Sequence, residues 1–194
     1  HPMYRRQRQM CIRDRVDANH FPAGFNNVSK ENIEELSKLF SEHITRSHPD
    51  CKWVHIYPES HTRNQGYVEN IATIRAIIVK AGYQCTVGSP ELNGINSVSG
   101  LSGPLLLTEV ELNEEDELTV NGNVPDLILL NNDLTDGNVP GVKSTNITPP
   151  PHMGWYRRRK SQHYEALKPY ILEMAELIDI DPWHLMPDLS LIHI

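Results

Sequence analysis

The sequence predicts an α/β domain with a mostly parallel sheet flanked by helices, and three observations carry the prediction. "KWVHIY" and "YQCTVG" are short β-branched and aromatic runs, each bounded by turn residues, with an amphipathic helical pattern between them. A strand, a helix and a strand within about 35 residues make a βαβ unit, whose crossover is right-handed. Further on, "PDLILL" is a continuous apolar run of the kind found in strands buried on both faces.

The elements follow in order. "VSKENIEELSKLFSEHITRSHP" places Ile33, Leu36, Phe40 and Ile44 at spacings of three and four, the mark of an amphipathic helix. Ser29 is its expected cap, with acids in the first turn and Arg46 near the end, as the helix dipole favours. The strand "KWVHIY" runs into Pro58. "YVENIATIRAIIVKAG" sets Ile71, Ile74, Ile78 and Ala81 on one stripe, and Gly82 stops the helix. Residues 88–124 are less defined: "SPELNGINSVSG" reads as loop, and "LLLTEVELNEEDELTVNGN" as a hairpin with Glu114, Glu115 and Asp116 at its turn. Those acids fit a solvated turn better than a metal site. After "PDLILL" come "NNDLTDG" and a proline-rich loop, then a last helix with Tyr164, Leu167, Ile171, Met174 and Ile178 as its stripe. Pro169 inside that stripe is expected to kink or restart the helix. Asp181 and Pro182 are expected to open a further turn.

Composition narrows the class. Hydrophobic residues make up 39% of the 194, enough for a core. No stretch approaches the roughly 18 to 20 apolar residues of a membrane span, and the N-terminus lacks the layout of a signal peptide. Three cysteines, Cys11, Cys51 and Cys85, with no CxxC pair, point to free thiols in a reducing cytoplasm. Both ends, "HPMYRRQRQMCIRDR" and "DLSLIHI", have neither hydrophobic period nor turn logic and resemble translated sequencing-adapter sequence. Residues 1–15 and 188–194 are therefore expected to be artefact or disordered, leaving 16–187 as the domain. The head carries five arginines and one aspartate, the tail one aspartate, so this body has a net charge of −10. That balance argues against general nucleic-acid binding, which needs a basic footprint.

In an open α/β sheet, ligands bind outside the carboxyl ends of the strands. Two polar constellations fall there. "PESHTRNQGY" follows the strand ending at Tyr57 and packs Glu59, His61, Arg63 and Asn64 together. "NNDLTDG" follows Leu130, and its Asn131, Asn132 and Asp133 offer amides and a carboxylate suited to a zwitterion. Ordinary turn chemistry competes, most strongly for the second, because Asn, Asp and Gly dominate turns. Arg and His are not turn formers. A third group, "VDANHFPAGFNN", surrounds a Phe-Pro-Ala-Gly turn with Asn19, His20, Asn26 and Asn27. A fourth, "PPPHMGWYRRRKSQHY", sets Arg157, Arg158, Arg159 and Lys160 before a helix carrying His163. Arginine's planar fork suits carboxylate or phosphate. Four consecutive cations cannot all face one way, so one or two are expected to point into a site, against the reading of a solvated helix entrance. No Walker A, GxGxxG, GxSxG or HExxH pattern occurs. The ten histidines form no ligand-spaced pair with a neighbouring Cys or acid, so no metal site is expected.

Five stretches, "VDANHFPAGFNN", "PESHTRNQGYVEN", "VPDLILLNNDLTDG", "GWYRRRKSQHY" and "LIDIDPW", resemble successive blocks of the proteobacterial-type glutamate–cysteine ligase family, over roughly Val16 to Pro187. That family is similar in architecture to ATP-grasp ligases. The resemblance implies a Rossmann-like, pre-ATP-grasp-type N-terminal domain. It also implies ATP-dependent joining of the glutamate γ-carboxylate to the cysteine amine through an acyl phosphate, with Mg²⁺. Glutamate, cysteine and ATP would be the partners, and the residues named above the substrate-binding candidates, without individual catalytic roles. The family continues past "IDPW" into a glycine-rich, lysine-containing region expected to hold nucleotide and metal. The chain therefore reads as an N-terminal part, inactive alone and binding neither ATP nor Mg²⁺ tightly. The alternative is a complete, non-catalytic amino-acid- or nucleotide-binding module. RNA binding through "YRRRK" with Trp155 and Tyr156 as stacking groups is opposed by the acidic body.

Overall fold

Alternation between apolar runs and amphipathic helices builds the sheet as the sequence predicts. The computed structural model describes residues 21–60, 62–135, 137, 139–143, 146–154 and 160–182. Its helices are α1 (Ile33–Ser47), α2 (Gln65–Lys80) and α3 (Lys160–Leu177). Its strands are β1 (Trp53–Pro58), β2 (Gln84–Val87), β3 (Ser97–Ser99), β4 (Pro104–Leu106), β5 (Glu111–Leu112), β6 (Leu118–Thr119), β7 (Leu127–Asn131) and β8 (Ile147–Thr148). Strands β2, β1, β7 and β8 lie side by side in that order, all parallel.

This order fixes where a ligand can sit. The chain leaves β1 through α2 to reach β2 on one side, then returns past β1 to place β7 on the other. Connections leaving in opposite directions open a crevice at the carboxyl ends of β1 and β7, the topological switch point.

Val54, Ile56, Cys85, Val87, Leu127 and Leu129 face α2, where Val68, Ile71, Ile74 and Ile78 close the core together with Ile44 of α1. Helix α2 ends as Gly82 dictates. With φ at +96°, its amide bonds to the Val79 carbonyl and the Tyr83 amide to that of Ile78, a Schellman closure. Tyr83 then packs edge-on against Phe40 of α1, with centroids 5.9 Å apart. The opposite sheet face carries His55, Tyr57, Ile128 and Leu130, also fully buried.

Some expectations change. Ser29 does not cap α1: a 3-10 turn, Lys30–Asn32, intervenes, and Ser29 precedes it without a side-chain cap bond. The run "SPELNGINSVSG" is not all loop. It contains a 3-10 turn, Pro90–Leu92, and strand β3, which pairs antiparallel with β4. The expected hairpin is β5–β6. Its turn is organised by Asn113, whose side-chain oxygen accepts from the amides of Glu115 and Glu117, while Asp116 pairs with Lys143 at 2.5 Å.

The unit from Asn19 to Gly154 holds the whole sheet, while α3 belongs to a second compact unit. Helix α3 runs through Pro169 without a break in its assignment, so the proline does not restart it. Among its described side chains Ile171 and Ala175 are buried and Leu167 half-buried one turn earlier, whereas Met174, and Ile178 just past its end, are exposed. The expected stripe is thus rotated: a spacing of four, 167–171–175, wins over the mixed one. The expected turn opened by Asp181 and Pro182 runs into residues outside those described.

Candidate functional site

Register brings the two polar loops together. Pro58 at the end of β1 pairs with Asn131 at the end of β7, so Glu59 and Asn132 leave the sheet side by side. The loops are joined directly, because Glu59 Oε1 accepts a hydrogen bond from the Asp133 amide at 3.2 Å. Tyr67, in the first turn of α2, completes the joint. Its hydroxyl donates to the Asn131 carbonyl and accepts from the Glu59 amide, both at 2.7 Å. Burial pushes the Tyr67 phenol far above its ordinary range; the bond from the Glu59 amide counters this, and the Glu59 and Asp133 carboxylates add to the rise. It stays protonated at any physiological pH.

The N-terminal segment ties into the same place. The Pro22 carbonyl accepts from Asn131 Nδ2 at 3.0 Å and from Asn70 Nδ2 at 3.1 Å. Asn70 Oδ1 in turn accepts from the Phe25 amide at 2.8 Å. Phe21 meets the Tyr67 ring edge-on, with centroids 6.0 Å apart. Asn70 is buried on the stripe of α2 with Ile71 and Ile74, and the half-buried Tyr67 packs against it. A polar pair on an apolar stripe was the available signal for them, and sequence reasoning passed over it.

Of the residues singled out from sequence, Glu59, Asn131 and Asp133 meet at the switch point. Asn64 instead caps α2, its Oδ1 accepting from the amides of Gly66 and Tyr67. Asn132 Oδ1 accepts from the Leu134 amide two residues on, an Asx turn, and Leu134 takes a φ of +53°. In both, the side-chain oxygen serves local geometry. Arg63 lies on the same edge, in an open cleft with Ser60, Thr62 and Asn64. Asn26 and Asn27 stand in a 3-10 turn, Phe25–Asn27, exposed and bonded to each other. Asn19, His20, His61, Arg157, Arg158 and Arg159 lie outside the described residues. Lys160 and His163 belong to α3, with side chains outside the description.

Among the described residues no group of three or more His, Cys, Asp or Glu side chains is placed to hold a metal ion. None of the described helices is long and apolar enough to cross a membrane. Cys51 and Cys85 are free thiols, the second buried in β2.

The comparisons bear on what this crevice serves. The model of the GshA family, glutamate-cysteine ligase, matches residues 10–193. A solved structure named "Putative gamma-glutamylcysteine synthetase", from Methylobacillus flagellatus KT, superposes with a TM-score of 0.68 at 32% identity. The match covers 89% of this chain and 42% of that one, so this chain spans less than half the length of its solved relative. A comparison with curated proteins finds no match. With the parallel sheet, the order of its strands and the family match in agreement, the chain belongs to the GshA family of glutamate–cysteine ligases.

Proposed function

We propose that the crevice between β1 and β7 is the amino-acid-binding side of an ATP-dependent ligase that joins the glutamate γ-carboxylate to the cysteine amine. The observation that carries this reading is the direct joint between the strand ends, Glu59 Oε1 to the Asp133 amide, at the switch point. A ligase for zwitterions needs fixed acceptors and a cation; Glu59, Asn131 and Asp133 meet at the switch point, and Arg63 lies in a neighbouring cleft with Ser60, Thr62 and Asn64. In this reaction ATP phosphorylates the γ-carboxylate, and the cysteine amine displaces phosphate from the resulting acyl phosphate. This chain's residues bind and orient, which converts an encounter of two amino acids into a held geometry.

Among the described residues no group of three or more His, Cys, Asp or Glu side chains is placed for a metal ion, and the sequence carries no Walker A or GxGxxG pattern. We assign both ATP and Mg²⁺ to the part of the enzyme beyond the 42% matched in the solved relative. Extending the gene to full length and measuring ADP release tests the reading. The full-length enzyme should need glutamate and cysteine together, and the 194-residue chain should show no such activity. Amino-acid-dependent ATP hydrolysis by the short chain, or none by the long one, overturns it.

A further inference from the structure

Asn70 is an amide buried to 3% exposure on α2, among Val68, Ile71 and Ile74. An amide in such a place is costly unless it is hydrogen-bonded, and both ends of this one reach the same segment, residues 21–27. Its Nδ2 donates to the Pro22 carbonyl at 3.1 Å, and its Oδ1 accepts from the Phe25 amide at 2.8 Å. Turning the amide over would set oxygen against oxygen and nitrogen against nitrogen, so these partners fix its orientation. An apolar residue would serve the packing of α2 on the sheet; the amide serves the segment.

The same segment is held from the sheet. Asn131, buried at the end of β7, donates from Nδ2 to the Pro22 carbonyl at 3.0 Å. Both lone pairs of one carbonyl are thereby engaged, one by α2 and one by β7. Phe21 lies edge-on to the Tyr67 ring, and the Tyr67 hydroxyl bonds both strand ends. The ring of Pro22 fixes its own φ and stiffens the segment. The chain then turns at Gly24, with φ at +87°, and closes a 3-10 turn from the Asn27 amide to the Gly24 carbonyl at 3.0 Å. Residues 21–27 are a strap fastened at the carboxyl end of β7, where the crevice opens.

We propose that residues 21–27 form a wall of the amino-acid crevice and that Asn70 is the positioning residue that holds this wall, acting through the Pro22 carbonyl and the Phe25 amide without touching substrate. A wall already in place when substrate arrives removes an ordering cost from binding, so the clamp shows in amino-acid affinity and not in the chemical step. This inference rests on the crevice being an amino-acid site, as the ligase reading has it, and it adds which segment and which buried side chain set the affinity. The competing role for Asn70 is support of the fold as a whole.

The experiment compares Asn70→Ala and Asn70→Asp with the parent, in the ¹⁵N-labelled 194-residue chain and in the full-length enzyme. In the short chain, the Phe25 amide of Asn70→Ala should exchange its hydrogen about tenfold faster or more. The Ile128 amide, bonded to the Asn146 carbonyl beside β7, should keep its rate. Equal acceleration of both would make Asn70 a support of the whole fold and overturn the proposal. In the full-length enzyme, calorimetry should show L-glutamate or L-cysteine bound about tenfold more weakly by Asn70→Ala, as loss of a hydrogen bond does. KM should rise in step, with kcat within about twofold of the parent. Asn70→Asp keeps the size of the side chain but turns an oxygen toward the Pro22 carbonyl, so it should weaken the same amino acid, and it carries the test if Asn70→Ala does not fold. A fall in kcat with KM unchanged overturns the proposal. Weaker binding by the variants in an enzyme that releases no ADP keeps the strap and sinks the ligase. An active enzyme whose amino-acid affinities and KM values do not change keeps the ligase and sinks the strap. No binding of either amino acid at tens of millimolar sinks both.

Discussion

The hydroxyl of Tyr67 donates a 2.7 Å hydrogen bond to the main-chain carbonyl of Asn131, sixty-four residues away. One phenol on α2 thereby holds the end of β7, and through the Glu59 amide it holds the end of β1 as well. This contact adds to the direct Glu59–Asp133 bond in holding the two strand ends together.

Tyr67→Phe removes that joint while keeping the ring against Phe21. It leaves the half-buried Glu59 amide and the buried Asn131 carbonyl without that partner. The expected cost is about 1 to 3 kcal/mol of stability, the range for unsatisfied buried groups, read from urea denaturation. In the full-length enzyme the same change should raise amino-acid KM more than it lowers kcat, since it loosens the strand ends without touching the reacting atoms. A variant as stable as the parent would mean that water replaces the hydroxyl at no cost.

His55 makes stability depend on pH. It is fully buried in β1, with Nε2 2.9 Å from the Gly88 carbonyl and Nδ1 2.8 Å from Thr86 Oγ1. The carbonyl can only accept, so Nε2 carries the proton and Nδ1 accepts from the threonine, which accepts in turn from Trp53 Nε1. Burial lowers its pKa to about 4, against 6.5 when free, and the bond to Gly88 only partly opposes this. The unfolded chain therefore takes up a proton first as pH falls. Stability is full above about 6.5, declines below it and levels off near 4, with a loss of about 3 kcal/mol from this group. Urea midpoints at pH 7.5 and 5 should differ accordingly, and the His55 ring signals should not titrate near neutrality. Titration of His55 around pH 6.5 would contradict the buried, neutral assignment.

The thiols should differ in reactivity. Burial pushes Cys85 up to about 12, partly offset by Arg75, while Cys51 is raised by burial and then by Asp126. Maleimide at pH 8 should label Cys51 slowly and Cys85 only after denaturation, since the thiolate is the reactive form. Peptide mass spectrometry resolves the two positions. A Cys51–Cys85 bridge in protein purified without reductant would refute both the free-thiol assignment and the expectation of a reducing compartment.

The sheet was legible because its signals are local. Ile71, Ile74 and Ile78 repeat at helical spacing, "LILL" is buried throughout, and Gly82 has one conformational use. Strand ends followed from these, and with them the meeting of Glu59 and Asp133. What stayed hidden is non-local. Nothing near Asn70 or Tyr67 shows that their partners are Pro22, Glu59 and Asn131, because parallel pairing sets those contacts across tens of residues. Conversely, the local roles of Asn64 and Asn132 were hard to read, because a cap and an Asx turn use the same side chains as a binding site. Helix α3 was misjudged in phase because its apolar residues, Met174 and Ile178 among them, occupy more than one face.

The last expectation concerns "RRRK", residues 157–160, whose side chains lie outside the description. The motive is charge: four consecutive cations in a body of −10, set between Gly154–Trp155 and a helix entrance. In a ligase handling carboxylates and phosphates, such a run has value only where it touches an anion in the transition state. Single replacements of Arg157, Arg158, Arg159 and Lys160 by Ala in the full-length enzyme should then be uneven. One or two should lose about 1.5 to 3 kcal/mol in kcat/KM, the range for hydrogen bonds to charged groups. The others should stay within about 0.5 kcal/mol, as surface positions do. Steady-state kinetics, with circular dichroism to confirm folding, decides between this and a solvated entrance to α3. Four equal and negligible effects would leave the run with no part in anion handling, and the positive charge would then serve only the water around the helix.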